Sequence, residues 1–167
     1  PERSAFQSFA RSLGIHADSE VVLVDRKYDA TRLWWLFCYF GKAAGVRLLD
    51  GGFASWVAAG QPVTDETPSA PQQGTWVAQE PDARMLATRR DVLELSAQSA
   101  PRLWDVRSIE EHDGTTQLRG AAKPGRIPWT SARVDWGLFR REDGGWESAA
   151  RVVELAKAAF GETNPGD

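Results

Sequence analysis

A parallel α/β fold is what this sequence predicts, and three adjacent stretches carry the prediction. VVLV at 21–24 and VRLL at 46–49 are short apolar runs with β-branched residues, and TRLWWLFCYF at 31–40 lies between them. An apolar run of strand length without polar alternation reads as a strand covered on both faces. A helix apolar almost all round reads as buried. Strand, helix, strand is a βαβ unit, which implies a parallel pair joined by a crossover.

The other elements follow from the N-terminus. SAFQSFARSL at 4–13 repeats Phe6, Phe9, Ala10 and Leu13 at helical spacing, with Ser4 and Gln7 suited to a capping box and Gly14 to the helix stop. DRKYDA at 25–30 is a polar loop after the first strand, and GGFASWVAAG at 51–60 is a glycine turn with a short helix. PVTDETPSAPQQG at 62–74 has linker composition. TWVAQ at 75–79 suits an edge strand, and Thr88 caps a helix running to about Gln98, with Asp91 in its first turn. RLWDV at 102–106 is a strand, and 108–126 is irregular. A final amphipathic helix presents Val152, Val153, Leu155, Ala156, Ala159 and Phe160 and stops at Gly161.

Bulk properties exclude several classes. The 167 residues are 42% hydrophobic and 26% charged, an ordinary globular balance. A net charge of −3 argues against a dedicated nucleic-acid binder. No apolar run is long enough to span a bilayer, so no membrane partner is expected. One cysteine, Cys38, makes no internal disulfide and fits a reducing, cytoplasmic setting. With one cysteine and two distant histidines, His16 and His112, no metal site is expected.

Several motifs fall in a recognisable order. VRLLDGGFASWVAAGQPV resembles the end of a rhodanese domain, while LWDVRSIEEHDG followed by RGAAKPGRIP resembles the start of another. The stretch between them is similar to the linker of tandem rhodanese-like sulfurtransferases of the thiosulfate and 3-mercaptopyruvate type. The resemblance implies a rhodanese-like parallel sheet flanked by helices, in two partial domains. Residues 1–61 would be the C-terminal half of a first, inactive domain, 62–74 the linker, and 75–167 the N-terminal half of a second domain. It implies a transferase that moves sulfane sulfur from a small donor anion, thiosulfate or 3-mercaptopyruvate, to a thiol or cyanide acceptor through a cysteine persulfide. No cofactor is implied. The family cysteine is expected beyond Asp167, so no catalytic residue is assigned within the chain, which alone would be inactive. The alternative is a non-catalytic rhodanese-derived binding or regulatory module. A relative of the rhodanese-like phosphatases would need a longer cysteine loop with an arginine.

Single residues sharpen these expectations. Rhodanese chemistry needs a cysteine at a strand end, where converging backbone N–H groups lower the thiol pKa. Cys38 lies instead within an apolar helix, where it behaves as a small hydrophobe with a raised pKa, and Gly41 is the helix stop. Asp25, directly after VVLV, occupies the loop position, as in the inert first domain of tandem members. Asp105 and Arg107 form either a structural pair or an attraction for an anionic substrate, the first being favoured. Mammalian-type enzymes carry a substrate-binding arginine a turn later, where Glu111 stands here. GRIPWT at 125–130 is shorter than the family pattern, and His112 has no Ser or Cys partner in sequence. The eight tryptophans serve packing, since no basic stripe accompanies them. Two half-sheets would expose open edges. They are expected to close on each other, Val21–Val24 beside Leu103–Val106, or to self-associate with a second copy.

Overall fold

A computed structural model of the chain describes residues 1–25, 29–98 and 102–160, with the side chains of 159 and 160 excepted. It forms two compact units, Pro1–Leu86 and Ala87–Asp167.

The first unit contains α1 (Arg3–Ser12), β1 (Val21–Leu23), α2 (Ala30–Tyr39), β2 (Val46–Leu48) and α3 (Gly52–Ala58). Strands β1 and β2 are parallel, with Val21 opposite Val46 and Leu23 opposite Leu48. The βαβ unit read from the three apolar stretches is therefore present. Helices α1 and α2 end in the same way. After α1, Gly14 N–H donates to the Arg11 carbonyl and Ile15 N–H to that of Ala10, at 3.0 and 3.2 Å. After α2, Gly41 N–H donates to Cys38 and Lys42 N–H to Phe37, at 3.0 and 2.7 Å. These are paired Schellman bonds, and Gly14 and Gly41 take the left-handed φ of 74° and 85° that such stops require.

The start of α1 differs from expectation. No side chain caps it. The Ser4 hydroxyl donates to the Glu2 carboxylate, and the Gln7 side chain reaches a distant segment. Of the apolar face, Phe6 and Ala10 are buried while Phe9 and Leu13 stay exposed. In β1 only Leu23 is buried, and Val22 is 59% exposed, so the strand is not covered on both faces. Helix α2 buries Phe37 and Tyr39 and leaves Trp34 outward.

The core is aromatic. Phe6 meets Phe37 edge-on at 5.0 Å, Phe40 stacked at 5.4 Å and Trp76 edge-on at 5.9 Å. Trp76 comes to this core from beyond the proline-rich stretch. Residues 74–78 are extended and alternate buried with exposed, but they belong to no sheet. Their backbone instead bonds α1 and the turns after α1 and α2. Gly74 N–H donates to the Arg11 carbonyl, Trp76 N–H to Ile15 and Gln79 N–H to Phe40, at 2.8, 3.0 and 3.0 Å. A Cβ on Gly74 would lie 2.1 Å from the Ile15 carbonyl oxygen, which is why glycine stands there. The proline-rich stretch to Gln73 is exposed. The chain returns to the first unit after it, and the two compact units meet in sequence between Leu86 and Ala87.

The second unit contains α4 (Arg89–Leu95), β3 (Trp104–Asp105), α5 (Ile109–Asp113), β4 (Ala132–Arg133) and α6 (Ala149–Phe160). Thr88 and Asp91 make the full capping box of α4, which ends at Leu95, earlier than expected. The stretch read as irregular holds α5, capped by the Ser108 side chain on Glu111 N–H. Strand β4 was also not foreseen. It pairs parallel to β3, Trp104 opposite Ala132. Among the described residues each sheet has two strands, β1 with β2 in the first unit and β3 with β4 in the second. On α6, Val152, Leu155 and Ala156 are half-buried while Val153 is exposed; Gly161 lies outside the described residues. Among the described residues no helix is long and apolar enough to cross a membrane.

Candidate functional site

Asp25 sits just past the end of β1, at the carboxyl edge of the parallel pair. Its carboxylate accepts the Ala30 backbone N–H at 2.6 Å, the first residue of α2. Its carbonyl accepts Phe53 N–H from the first turn of α3 at 3.0 Å. Asp29, the residue before α2, contributes no side-chain cap, so Asp25 satisfies one of the orphan amides there. The Asp25 carboxylate thus serves as an acceptor at the start of α2. It is itself an anion, and its oxygen cannot carry a sulfane sulfur.

Cys38 lies on α2, one residue before its end, and is half-buried. Burial pushes its thiol pKa up. The N–H groups of Gly41 and Lys42, after Cys38, donate to helix carbonyls and form no anion cradle. The Lys42 ammonium is buried and donates to the Ala17 carbonyl at 2.9 Å.

In the second unit, Asp105 ends β3 with its side chain 8% exposed. Arg107 Nε donates to Oδ1 at 2.9 Å and Nη2 to Oδ2 at 2.6 Å, a two-pronged clasp. The Arg107 backbone N–H adds a third bond at 3.1 Å, and Nη2 also reaches the Gly125 carbonyl at 3.1 Å. His112 Nδ1 lies 3.1 Å from Asp105 Oδ2. Chiefly the Arg107 guanidinium, helped by its backbone N–H and the His112 ring, holds the Asp105 carboxyl well below the usual carboxylate range against the opposing effect of burial. Asp105 in turn raises the Arg107 pKa. The two residues singled out in sequence do meet, and Arg107 also bonds the Gly125 carbonyl.

His112 joins them, which sequence reading missed. The available signal was Ser108 as a helix cap. A helix begun there returns its last turn, with His112, over the strand end.

Beside the pair lies a groove of about 700 Å³. Its lining includes Arg89 from α4, Arg107, and Lys123 and Arg126 from the segment before β4, together with Ile127 and Trp129. The cations of KPGR at 123–126 and Arg89 were not among the expected site residues.

No family model matches the chain. Curated relatives do. It is 33% identical over 161 residues to the 3-mercaptopyruvate sulfurtransferase of Rattus norvegicus, covering 93% of this chain and 52% of that protein. It is 36% identical over 150 residues to the putative thiosulfate sulfurtransferase SseA of Mycobacterium tuberculosis, covering 85% and 49%. The chain belongs to the 3-mercaptopyruvate and thiosulfate sulfurtransferase family. This sulfurtransferase-family chain is also 35% identical to the sulfur carrier protein TtuD of Thermus thermophilus, across 90% of its own length and 55% of the relative's. It spans about half the length of the curated relatives it matches. Among solved structures, YnjE superposes with a TM-score of 0.79 at 26% identity, covering 95% of this chain and 40% of that one. An EanB variant in complex with ergothioneine superposes with a TM-score of 0.82 at 20% identity, a likeness of fold alone. The sulfurtransferase-family chain therefore has the expected rhodanese-like α/β fold, parallel strands flanked by helices.

Proposed function

We propose that this chain is part of a sulfurtransferase that moves sulfane sulfur from thiosulfate or 3-mercaptopyruvate to a thiol or cyanide. The observation that carries the reading is kinship to such enzymes at 33% identity over 93% of the chain. In the proposed reaction a cysteine thiolate attacks the outer sulfur of thiosulfate. The S–S bond breaks, sulfite leaves with the electron pair, and a cysteine persulfide remains. Cyanide then attacks the outer sulfur, forming thiocyanate and returning the thiolate. The reacting cysteine belongs to a loop beyond Asp167, and the Asp25 loop is the inert counterpart in a tandem arrangement. Two observations support that assignment. The Asp25 carboxylate already takes up the Ala30 amide, and Cys38 is a half-buried helix residue with a raised pKa.

The test is expression of the reading frame that contains these residues, assayed for thiocyanate and pyruvate formation, beside the 167-residue chain alone. The longer protein is expected to turn over at least one donor and to keep that activity in Cys38→Ser, with the short chain silent. Sulfur transfer by neither protein would favour the non-catalytic module. Loss of activity in Cys38→Ser would place the chemistry on α2.

A further inference from the structure

The groove beside β3 carries more positive charge than the pairing of its residues explains. Four cations line it, Arg89, Arg107, Lys123 and Arg126, against one carboxylate, Asp105. That carboxylate is fully engaged by Arg107 and His112. Arg107 also feels Glu111, its remaining acidic neighbour. Arg89, Lys123 and Arg126 have no carboxylate within ion-pair distance among the described residues. This local excess arises in a chain whose net charge is −3, so composition does not account for it.

The groove is also built to hold a shape. The Trp129 indole Nε1 donates to the Val92 carbonyl at 3.1 Å, which fastens the wall before β4 to α4. Arg107 is fixed on two sides, by Asp105 and by the Gly125 carbonyl, leaving Nη1 with no partner among the described residues. A held guanidinium with free N–H groups is a preorganised oxyanion donor. Between the cations the surface is apolar, from Val92, Leu93, Ile127 and Trp129. A volume of about 700 Å³ suits a small organic molecule and exceeds what a bare inorganic ion would fill.

We propose that this groove binds a small organic polyanion, with two or more carboxylate or phosphate charges on a carbon body. Arg126, Lys123 and Arg89 neutralise the charges, Arg107 Nη1 orients one oxyanion, and the Trp129 wall covers the carbon skeleton. The assignment does not depend on sulfur transfer, since none of these residues is a nucleophile, and it is read by binding alone.

The experiment is calorimetric titration of the 167-residue chain with citrate, with phosphoglycolate and with inorganic sulfate. Citrate and phosphoglycolate separate the carboxylate source from the phosphate source, and either binding supports the proposal. Lys123→Gln and Arg126→Gln are each expected to weaken that binding about tenfold, the loss of one charge-assisted hydrogen bond. Both residues are exposed, and thermal unfolding of the variants is expected to match the parent. Val63→Asp, in the first unit, is expected to leave binding unchanged. Failure of both organic anions to bind at millimolar concentration overturns the proposal. So does sulfate binding as tightly as they do, or undiminished binding in the Lys123→Gln, Arg126→Gln double variant.

Discussion

The Gln7 side chain of α1 accepts the backbone N–H of Ala78 at 3.0 Å, across a sequence separation of 71 residues. Arg11, one turn further along α1, donates from Nε to the Trp76 carbonyl at 2.8 Å. The two side chains hold an extended strap whose inward residues, Trp76 and Ala78, complete the core of the first unit. Residues 75–86 are therefore part of that unit's stability.

Trp76→Ala is expected to destabilise the first unit by about 3–5 kcal/mol, the usual range for truncating a buried aromatic. Gly74→Ala is expected to lower stability by about 1–3 kcal/mol or more, because its Cβ would press on the backbone of Ile15. Thermal and denaturant unfolding followed by circular dichroism measure both. Wild-type unfolding of Trp76→Ala would show that the strap is not part of the core.

Asp25→Ala removes the acceptor for Ala30 N–H at the start of α2, and a loss of about 1 kcal/mol is expected. Asp25→Cys is expected to create no thiocyanate-forming activity. Among the described residues one amide reaches this carboxylate, whereas missing oxyanion donors elsewhere cost about 2.7–4 kcal/mol each. Turnover by the single variant would contradict this.

Cys38 is expected to react slowly with a thiol reagent in the native chain and at least about tenfold faster after denaturation, since burial raises its pKa and only the thiolate reacts. Stopped labelling with and without guanidinium gives both rates. Equal rates would mean an exposed, ordinary thiol.

Asp105 gives the second unit a pH signature. Its folded-state pKa is depressed below the ordinary value of 3.8, chiefly by Arg107. A depressed carboxylate contributes stability that is fully present above its unfolded pKa and is lost as the pH falls through the folded value. Acidification below about pH 4 is therefore expected to weaken the unit progressively. Asp105→Asn is expected to cost about 1.5–3 kcal/mol at neutral pH, the range for hydrogen bonds to a charged group, and to remove this part of the acid dependence. Unfolding midpoints measured between neutrality and acid decide it. A variant with the parent's acid profile would assign the dependence to other carboxylates.

How much could be read in advance varies with the range of the interaction that decides each feature. The helix stops at Gly14 and Gly41, the Thr88 cap with Asp91 in the first turn, and the βαβ order were legible, because each is settled within a few residues by φ, by a cap or by apolar period. The helical setting of Cys38 was legible for the same reason. Ser4 and Gln7 had the spacing of a capping box, yet a backbone N–H 71 residues away took Gln7 instead. Strand β4, two residues long, carries too little pattern to be seen without its partner β3.

Legible in the sequence were the longer local elements, the place of Asp25 at a strand end and the kinship that its motifs signal. Tertiary structure alone decided the rest: that 74–82 folds back onto α1 and α2, that Val22 and Val24 stay exposed, that His112 turns onto Asp105, and that Arg89, Lys123 and Arg126 share one groove. The physical reason is the same in each case. Side-chain type and period fix what a short segment favours. Which distant backbone group or charge it meets depends on packing, and no local pattern encodes that.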